Sequence, residues 1–339
     1  MLAEPTGKAV PLQITEDEAA VYDRQIRLWG LEAQQKMRNA TILVVKLKGT
    51  ATETIKNIVL AGIGKLIIMD EKNVAEEDLG AGFFFQDSDV GSKRVDAARA
   101  RIESLNPLVT VETIPSLAPL EPDNIGETLK SVDLVCITDS SREFVVRVND
   151  ACRLAGKPLY AGGSFGLIGY IFCDLINHEY INPEKLDSKD PQKRSKVSVS
   201  YCPLSTALKP YSWRSMGRAQ TKDLKPAVVF TLLAIWEYQA RHGGVLPDAS
   251  SCAPELEAIA TELFTAAEIN KRVLTSIPKD VVENLATTAA HEFSPVCAVL
   301  GGMMAQDMLK ALAARDPPIA NFFCFDGFTG HGSVCRMNM

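Results

Sequence analysis

The stretch Thr41 to Leu60, TILVVKLKGTATETIKNIVL, constrains the fold more than any other part of the chain. Ile42-Leu43-Val44-Val45 is a continuous apolar run rich in β-branched residues, the pattern of a strand buried on both faces of a parallel sheet. A short polar segment follows, and then Ile55, Ile58 and Val59 fall at i, i+3, i+4, the stripe of a crossover helix. A strand-turn-helix of this dinucleotide-binding type normally needs glycines, because the backbone bends sharply and a phosphate must approach the helix N-terminus with no Cβ in the way. Here the turn reads Lys46-Leu47-Lys48-Gly49-Thr50-Ala51-Thr52, with Gly49 as its one glycine. The scaffold is kept and the cradle is expected to be filled with side chains, so this turn should hold no nucleotide phosphate. Lys46 and Lys48 remain able to bind an anion through their ammonium groups. A P-loop would require a Lys-Ser/Thr pair closing a longer glycine-framed loop, and that pattern does not occur here.

The 339 residues are enough for one large or two small domains with a core that needs no staples. A net charge of -6 leaves no electrostatic footprint for nucleic acid. Met1 to Gln13 has no basic region followed by an apolar core, which argues against a secretory signal. Val296 to Leu312 is interrupted by Gln306, Asp307 and Lys310 and reads as a packed helix, not a membrane span. The eight cysteines form no C-x-x-C pair and do not cluster with the four histidines, so they read as reduced and structural, without zinc. Cys202, in Tyr201-Cys202-Pro203, is the candidate nucleophile to check against a plain loop cysteine.

Thr15-Glu16-Asp17-Glu18 has capping-box spacing and opens a helix. Tyr22 to Gly30, YDRQIRLWG, is dense in arginine and aromatics. It reads either as a helix end tied down by stacking and ion pairs, or as an arginine held on a rigid support to meet a phosphate. Lys65 to Asp70 is a second buried strand, and Asp70 stands where a dinucleotide fold places its ribose-binding carboxylate. Three consecutive aromatics, Phe83 to Phe85, cannot all face one side, so part of the run should be covered by an insertion or another subunit. Further strands are expected at Val109 to Ile114 and Val132 to Ile137, with helices after each strand, giving a parallel sheet covered on both faces. Ser188 to Ser200 reads as a polar, basic, solvated loop. Pro226 to Arg241, Leu256 to Leu274 and Val281 to Ala290 read as helices, so residues 177–290 are expected to form a mainly helical insertion between a first part, 1–176, and a final part, 291–339. Pro295 to Leu312 is a helix in which Gly301-Gly302 admits a close neighbour, and Asn321 to Asp326 is the last strand.

Several of these segments together resemble one family. Tyr22 to Gly30, the Asp89-Val90-Gly91 turn, Ser164 to Tyr170, and Arg315-Asp316-Pro317-Pro318 with Phe322 to Gly327 are similar to the small subunit of the heterodimeric SUMO-activating enzymes, a branch of the ubiquitin-activating enzyme family. The likeness runs from about Glu16 to Val334 and is weakest over 177–290. It implies a Rossmann-like, doubly wound α/β fold of ThiF type, present here as a pseudo-adenylation half whose larger partner subunit holds ATP and magnesium, the catalytic cysteine and the ubiquitin-like fold domain. It also implies that SUMO is met through the complex, and that the complex resides in the nucleus with some in the cytoplasm.

Set beside the active members, this sequence departs where phosphate and metal are held. An Asn-x-Asn-Arg-Gln-Phe run corresponds to Asp78 to Phe83, with Ala81 at the arginine position. The lysine after the Asp-Val-Gly turn corresponds to Arg94, and the magnesium-binding aspartate to Ser140, with Asp139 one residue away. The resemblance further implies that Arg24 reaches across the dimer to the partner's ATP as an arginine finger, with Arg27 as a phosphate or packing contact. The alternative is a self-sufficient nucleotide-binding enzyme, either a Rossmann oxidoreductase or a homodimeric sulfur-carrier adenylating enzyme, in which Asp70 binds ribose and the Lys46 to Thr52 turn holds a cofactor. Phe83 to Phe85 and the Gly301-Gly302 helix are the candidate dimer surfaces.

Overall fold

The computed structural model describes residues 13–186 and 194–339. The segment read for a secretory signal thus lies outside the described residues apart from Gln13, and so does 188–193 of the expected basic loop. The strands are β1 (Thr41–Val45), β2 (Lys65–Met69), β3 (Thr110–Ile114), β4 (Leu134–Thr138), β5 (Leu159–Phe165), β6 (Ile168–Asp174), β7 (Asn177–Leu186), β8 (Arg194–Ser200), β9 (Phe322–Asp326) and β10 (His331–Cys335). The helices are α1 (Glu16–Val21), α2 (Asp23–Trp29), α3 (Leu31–Arg38), α4 (Gly49–Leu60), α5 (Arg94–Leu105), α6 (Ile125–Lys130), α7 (Arg142–Leu154), α8 (Leu204–Ala207), α9 (Arg218–Asp223), α10 (Pro226–Arg241), α11 (Ala253–Ala266), α12 (Lys279–Thr288) and α13 (Ser294–Ala313).

Eight strands form one sheet in the order β10-β9-β6-β5-β4-β1-β2-β3. From β3 to β5 neighbours run parallel, and β6, β9 and β10 are added antiparallel. The central strand β1 has partners on both sides and its alternation feeds two cores. Leu43 and Val45 point into a layer built with α7, α10, α11 and α12, while Ile42 and Val44 point into one built with α4, α5 and α13. All four are fully buried, as a continuous apolar run requires. The sheet is therefore doubly wound, with helices on both faces. The expected capping box at Thr15 and Glu18 is present, each side chain meeting the other's backbone N–H.

Helix α13 is long and apolar enough to cross a membrane by length and composition, yet its apolar side is packed against α4 and the sheet. Gly301 is the reason α13 and α4 approach so closely: a Cβ there would stand 2.5 Å from Glu53 Cβ and 2.8 Å from Thr50 O. Gly302 faces open space.

Two expectations need correction. Ser188 to Ser200 is not all loop, because Arg194–Ser200 is a strand paired antiparallel with β7. Half-buried Val197 and Val199 alternate there with exposed Lys196, Ser198 and Ser200, a period of two that the polar composition obscured. Helix α11 stops at Ala266 and does not run to Leu274, since Glu268 takes the left-handed conformation, φ 51°, that breaks a helix. Residues 177–290 therefore open with a hairpin, and their helices share the core beneath β4, β5, β6 and β9. Trp236 of α10 stands edge-on to Tyr170 of β6 at 4.7 Å and to Phe322 of β9 at 5.9 Å.

Candidate functional site

The turn from β1 into α4 lies at the carboxyl ends of the parallel strands, where open α/β sheets hold ligands. Lys46 leaves β1 in the left-handed region, φ 64°, and its Nζ donates to Asp139 O at 3.2 Å. The Leu47 side chain is fully buried in the α4 layer, and its N–H donates to Asp70 Oδ2 at 2.8 Å. Asp70 Oδ1 accepts from Lys72 N at 2.8 Å, so the carboxylate at the end of β2 faces its own backbone.

Gly49 opens α4, and its N–H donates at 3.0 Å to Oε1 of Glu292, 243 residues further along the chain. Glu292 Oε2 lies 3.8 Å from Lys48 Nζ. A Cβ on Gly49 would stand 2.8 Å from Ala81 Cβ and 2.9 Å from Cys297 Sγ. Ala81, Cys297 and Glu292 thus close over the one glycine of the turn. Arg94, buried at the start of α5, forks onto Asp78 with both bonds at 2.9 Å and reaches Asp70 Oδ2 at 3.4 Å. Ser140 turns its hydroxyl back to Thr138 O at 3.0 Å. Asp139, left-handed at φ 45°, accepts from Ser164 N at 3.3 Å through Oδ1, while its Oδ2 is buried without a partner among the described residues.

These charges are costly in their surroundings. Burial, and then repulsion from Asp139, pushes the Glu292 carboxyl up to about 7 against the pull of Lys48 and the Gly49 N–H. Burial likewise raises Asp139, with Lys48 and the Ser164 N–H opposing. Burial lowers the Lys46 ammonium despite Asp139 and Asp70 nearby. Burial works against the Lys48 ammonium too, but Glu292 and Asp139 outweigh it and leave Lys48 raised.

Of the sequence-derived candidates, the structure brings Lys46, Lys48, Gly49, Asp70, Ala81, Arg94, Asp139 and Ser140 to this cradle. Glu292 was missed. Nothing local in His291-Glu292-Phe293 marks it, and its role exists only once the α12–α13 connection has been folded onto α4.

Arg24 and Arg27 are elsewhere. Helix α2 is pinned by buried Tyr22, whose hydroxyl accepts from Asn106 Nδ2 at 2.8 Å. Further anchors are Gln25 Nε2 donating to Leu60 O at 3.4 Å and Trp29 Nε1 donating to Gln34 Oε1 at 3.0 Å. Arg27 pairs with Asp23 at 3.0 Å on the surface. Arg24 is exposed and has no hydrogen bond or ion pair among the described residues. Its neighbour Gln25 touches the C-terminal end of α4, whereas the cradle is at the N-terminal end, roughly 17 Å away at 1.5 Å per residue.

Cys202 is half-buried; its thiol donates to Met337 O at 3.3 Å, and burial raises it above the ordinary thiol range, the state of an unreactive cysteine. Of the aromatic run, Phe84 and Phe85 are covered by this chain's own core, leaving Phe83 exposed with Lys56 Nζ 4.4 Å from its ring centre. Gly301 is likewise already covered by α4.

The ThiF family profile matches residues 22–339. SUMO-activating enzyme subunit 1 of Homo sapiens is 35% identical over 342 residues, and that of Rattus norvegicus 34% over 342, each match covering 95% of both chains. The Danio rerio protein of the same name is 33% identical over 343 residues, again with 95% of both chains covered. Among solved structures, that of selenomethionine PaaA superposes with a TM-score of 0.59 at 13% identity, over 99% of this chain and 78% of that one, a likeness of fold alone. The chain belongs to the ThiF family and, within it, to the SUMO-activating enzyme subunit 1 proteins.

Proposed function

We propose that this chain is the regulatory subunit of a heterodimeric SUMO-activating enzyme, that ATP and magnesium are held by its larger partner subunit, and that Arg24 is donated to that ATP. The observation that carries this reading is how the cations are divided. At the cradle, Lys48 and Arg94 are committed to Glu292 and to Asp78 with Asp70. Arg24, at the far end of α4, is exposed on an anchored helix.

A nucleotide does not fit the residues at the cradle. A phosphate approaching Gly49 would meet Ala81, Cys297 and the Glu292 carboxylate, and a ribose would find Asp70 already bonded to Leu47 N and Lys72 N. This disfavours the self-sufficient oxidoreductase or sulfur-carrier enzyme. In the reaction proposed for the pair, the C-terminal carboxylate of SUMO attacks the α-phosphate and pyrophosphate leaves. A guanidinium from this chain neutralises the negative charge that builds up as it departs. Helix α2 contributes position: Tyr22, Gln25 and Trp29 fix the backbone, so Arg24 loses only side-chain freedom on reaching its target. The complex would work in the nucleus, with some in the cytoplasm.

Arg24→Ala should slow adenylate formation by the assembled heterodimer at least about tenfold, as loss of an arginine finger does, while the two subunits still co-purify. Arg27→Ala, which loses an exposed pair with Asp23, should have the smaller effect. ATP–pyrophosphate exchange measured on both variants decides it. Unchanged exchange in Arg24→Ala would rule out the arginine assignment, and tight ATP binding by this chain alone would rule out the regulatory reading.

A further inference from the structure

Helix α2 carries Arg24 but has little of its own to hold it. It has seven residues, none of them buried, and helices that short are marginal in isolation. Its placement therefore depends on discrete anchors. Tyr22 fixes its start, Gln25 bonds Leu60 O, and Trp29 bonds Gln34, which is itself tied to Ala61 O at 2.8 Å. One more anchor grips the end of the helix by its backbone. The Arg315 guanidinium donates through Nη1 to Trp29 O, the last carbonyl of α2, which has no acceptor role inside the helix. A cation there also matches the negative end of the helix dipole. Gly30 makes the room: it turns the chain at φ 90°, and a Cβ on it would already touch Arg315 Nη1 at 3.4 Å.

Arg315 is presented by a turn with little slack. Ala314 at φ 53° and Asp316 at φ 63° put left-handed backbone on both sides of it, a conformation that non-glycine residues keep only where their surroundings impose it. Strand β7 supplies that constraint, because Ile181 N donates to Ala314 O at 3.0 Å and Ile181 O accepts from Asp316 N at 3.2 Å. The guanidinium is not committed to an acid either. Glu32 of α3 is lowered chiefly by Lys36, with which it pairs at 3.0 Å, and Arg315 has no ion-pair partner among the described residues.

We propose that Arg315 is a positioning residue for Arg24: it caps α2 from the turn that follows α13, so that this turn and the β7–β8 hairpin clamped to it set where Arg24 stands. The inference rests on the reading that Arg24 is donated to the partner's ATP. It adds that a second arginine acts on the reaction through the backbone of α2 without touching the nucleotide, and it gives the hairpin a part in that reaction. Arg24 lies five residues before Trp29, about one and a half turns from the capped carbonyl. With the cap removed, the end of α2 frays and Arg24 reaches its target from a wider spread of starting positions.

ATP–pyrophosphate exchange by the assembled heterodimer tests this as a double-mutant cycle. Arg315→Ala should lower kcat about three- to tenfold with little change in KM for ATP, while the subunits still co-purify. Arg315→Lys, which keeps the charge and a donor, should be faster than the alanine variant. In the Arg24→Ala background, Arg315→Ala should bring no further loss, because a residue that acts through Arg24 has nothing left to position. Amide hydrogen exchange over residues 23–30 should be at least about threefold faster in Arg315→Ala, with α10 unchanged. Wild-type exchange activity in Arg315→Ala would overturn the proposal, as would a lysine variant no faster than the alanine one, or a loss of the same factor with and without Arg24, which marks a purely structural role. Should Arg315→Ala fold poorly, Arg315→Gln takes its place in the same cycle under the same criteria. Arg24→Ala exchanging like the wild type is a different outcome, and it would sink the underlying reading along with this one; a slow Arg24→Ala beside a normal Arg315→Ala sinks this one alone.

Discussion

Glu292 meets the Gly49 N–H and Lys48 in a site where its own ionisation is opposed by burial and by Asp139, and the consequence is a stability that depends on pH. Its carboxyl titrates near 7 in the folded chain against 4.5 in its absence, so the folded state binds the proton more tightly. Stability from this group is therefore greatest below about pH 4.5 and falls as pH rises to about 7, after which it is level. Asp139, also raised, acts in the same direction, and the raised Lys48 changes nothing until alkaline pH. Asp78 also repels the carboxylate, and Lys46 and Arg94 act on its neighbour Asp139. Glu292→Gln keeps an oxygen for the Gly49 N–H and cannot ionise. Urea unfolding at pH 5 and pH 8 should show the glutamine chain gaining on wild type by on the order of 2–3 kcal/mol between the two pH values. Parallel pH profiles for the two chains would mean that Glu292 is not the titrating group.

Among elements, the contact between α4 and α13 decides whether Glu292 can reach the cradle, because α13 begins two residues after it. A methyl group on Gly301 would need room already taken by Glu53 Cβ and the Thr50 carbonyl. Gly301→Ala should therefore cost about 1–3 kcal/mol by overpacking. Gly302→Ala, with nothing near, should be neutral or gain up to about 1 kcal/mol from helix propensity. Thermal unfolding of the pair tests this directly, and equal effects at the two positions would contradict the packing described here. Elements of this kind were legible in the sequence because local pattern specifies them. The runs at Ile42 to Val45 and Lys65 to Asp70 are strands, and Pro226–Arg241 is a helix at the residues its apolar stripe and its Gly243-Gly244 stop define. The turn after β1 announced a filled cradle by its missing glycines. What fills it was not legible, since Glu292 is joined to Gly49 by a contact spanning 243 residues and carries no local mark. Strand β8 was missed for the opposite reason, its two half-buried valines being too few to outweigh a polar surround.

At the scale of the whole molecule, the question is whether residues 177–290 stand apart as an insertion or complete the fold. Their helices supply one face of the sheet with its cover: Val229, Leu232 and Trp236 of α10 belong to the same apolar layer as Tyr170, Phe172 and Phe322 of the strands. Trp236 is almost fully buried between Tyr170 and Phe322, so truncating it opens a cavity against β6 and β9 and not merely among the helices. Trp236→Ala should cost about 3–5 kcal/mol. If the sheet and these helices are one cooperative body, calorimetry of the variant will show a single transition shifted down, with far-UV and near-UV circular dichroism melting together. If they are separable, the variant will show an early transition carrying helix signal alone, with the sheet unfolding at the temperature of the wild type. The shared aromatic contacts favour the first outcome, and they imply that a cut made anywhere between 201 and 290 to remove the helices would uncover the aromatic surface of β6 and β9.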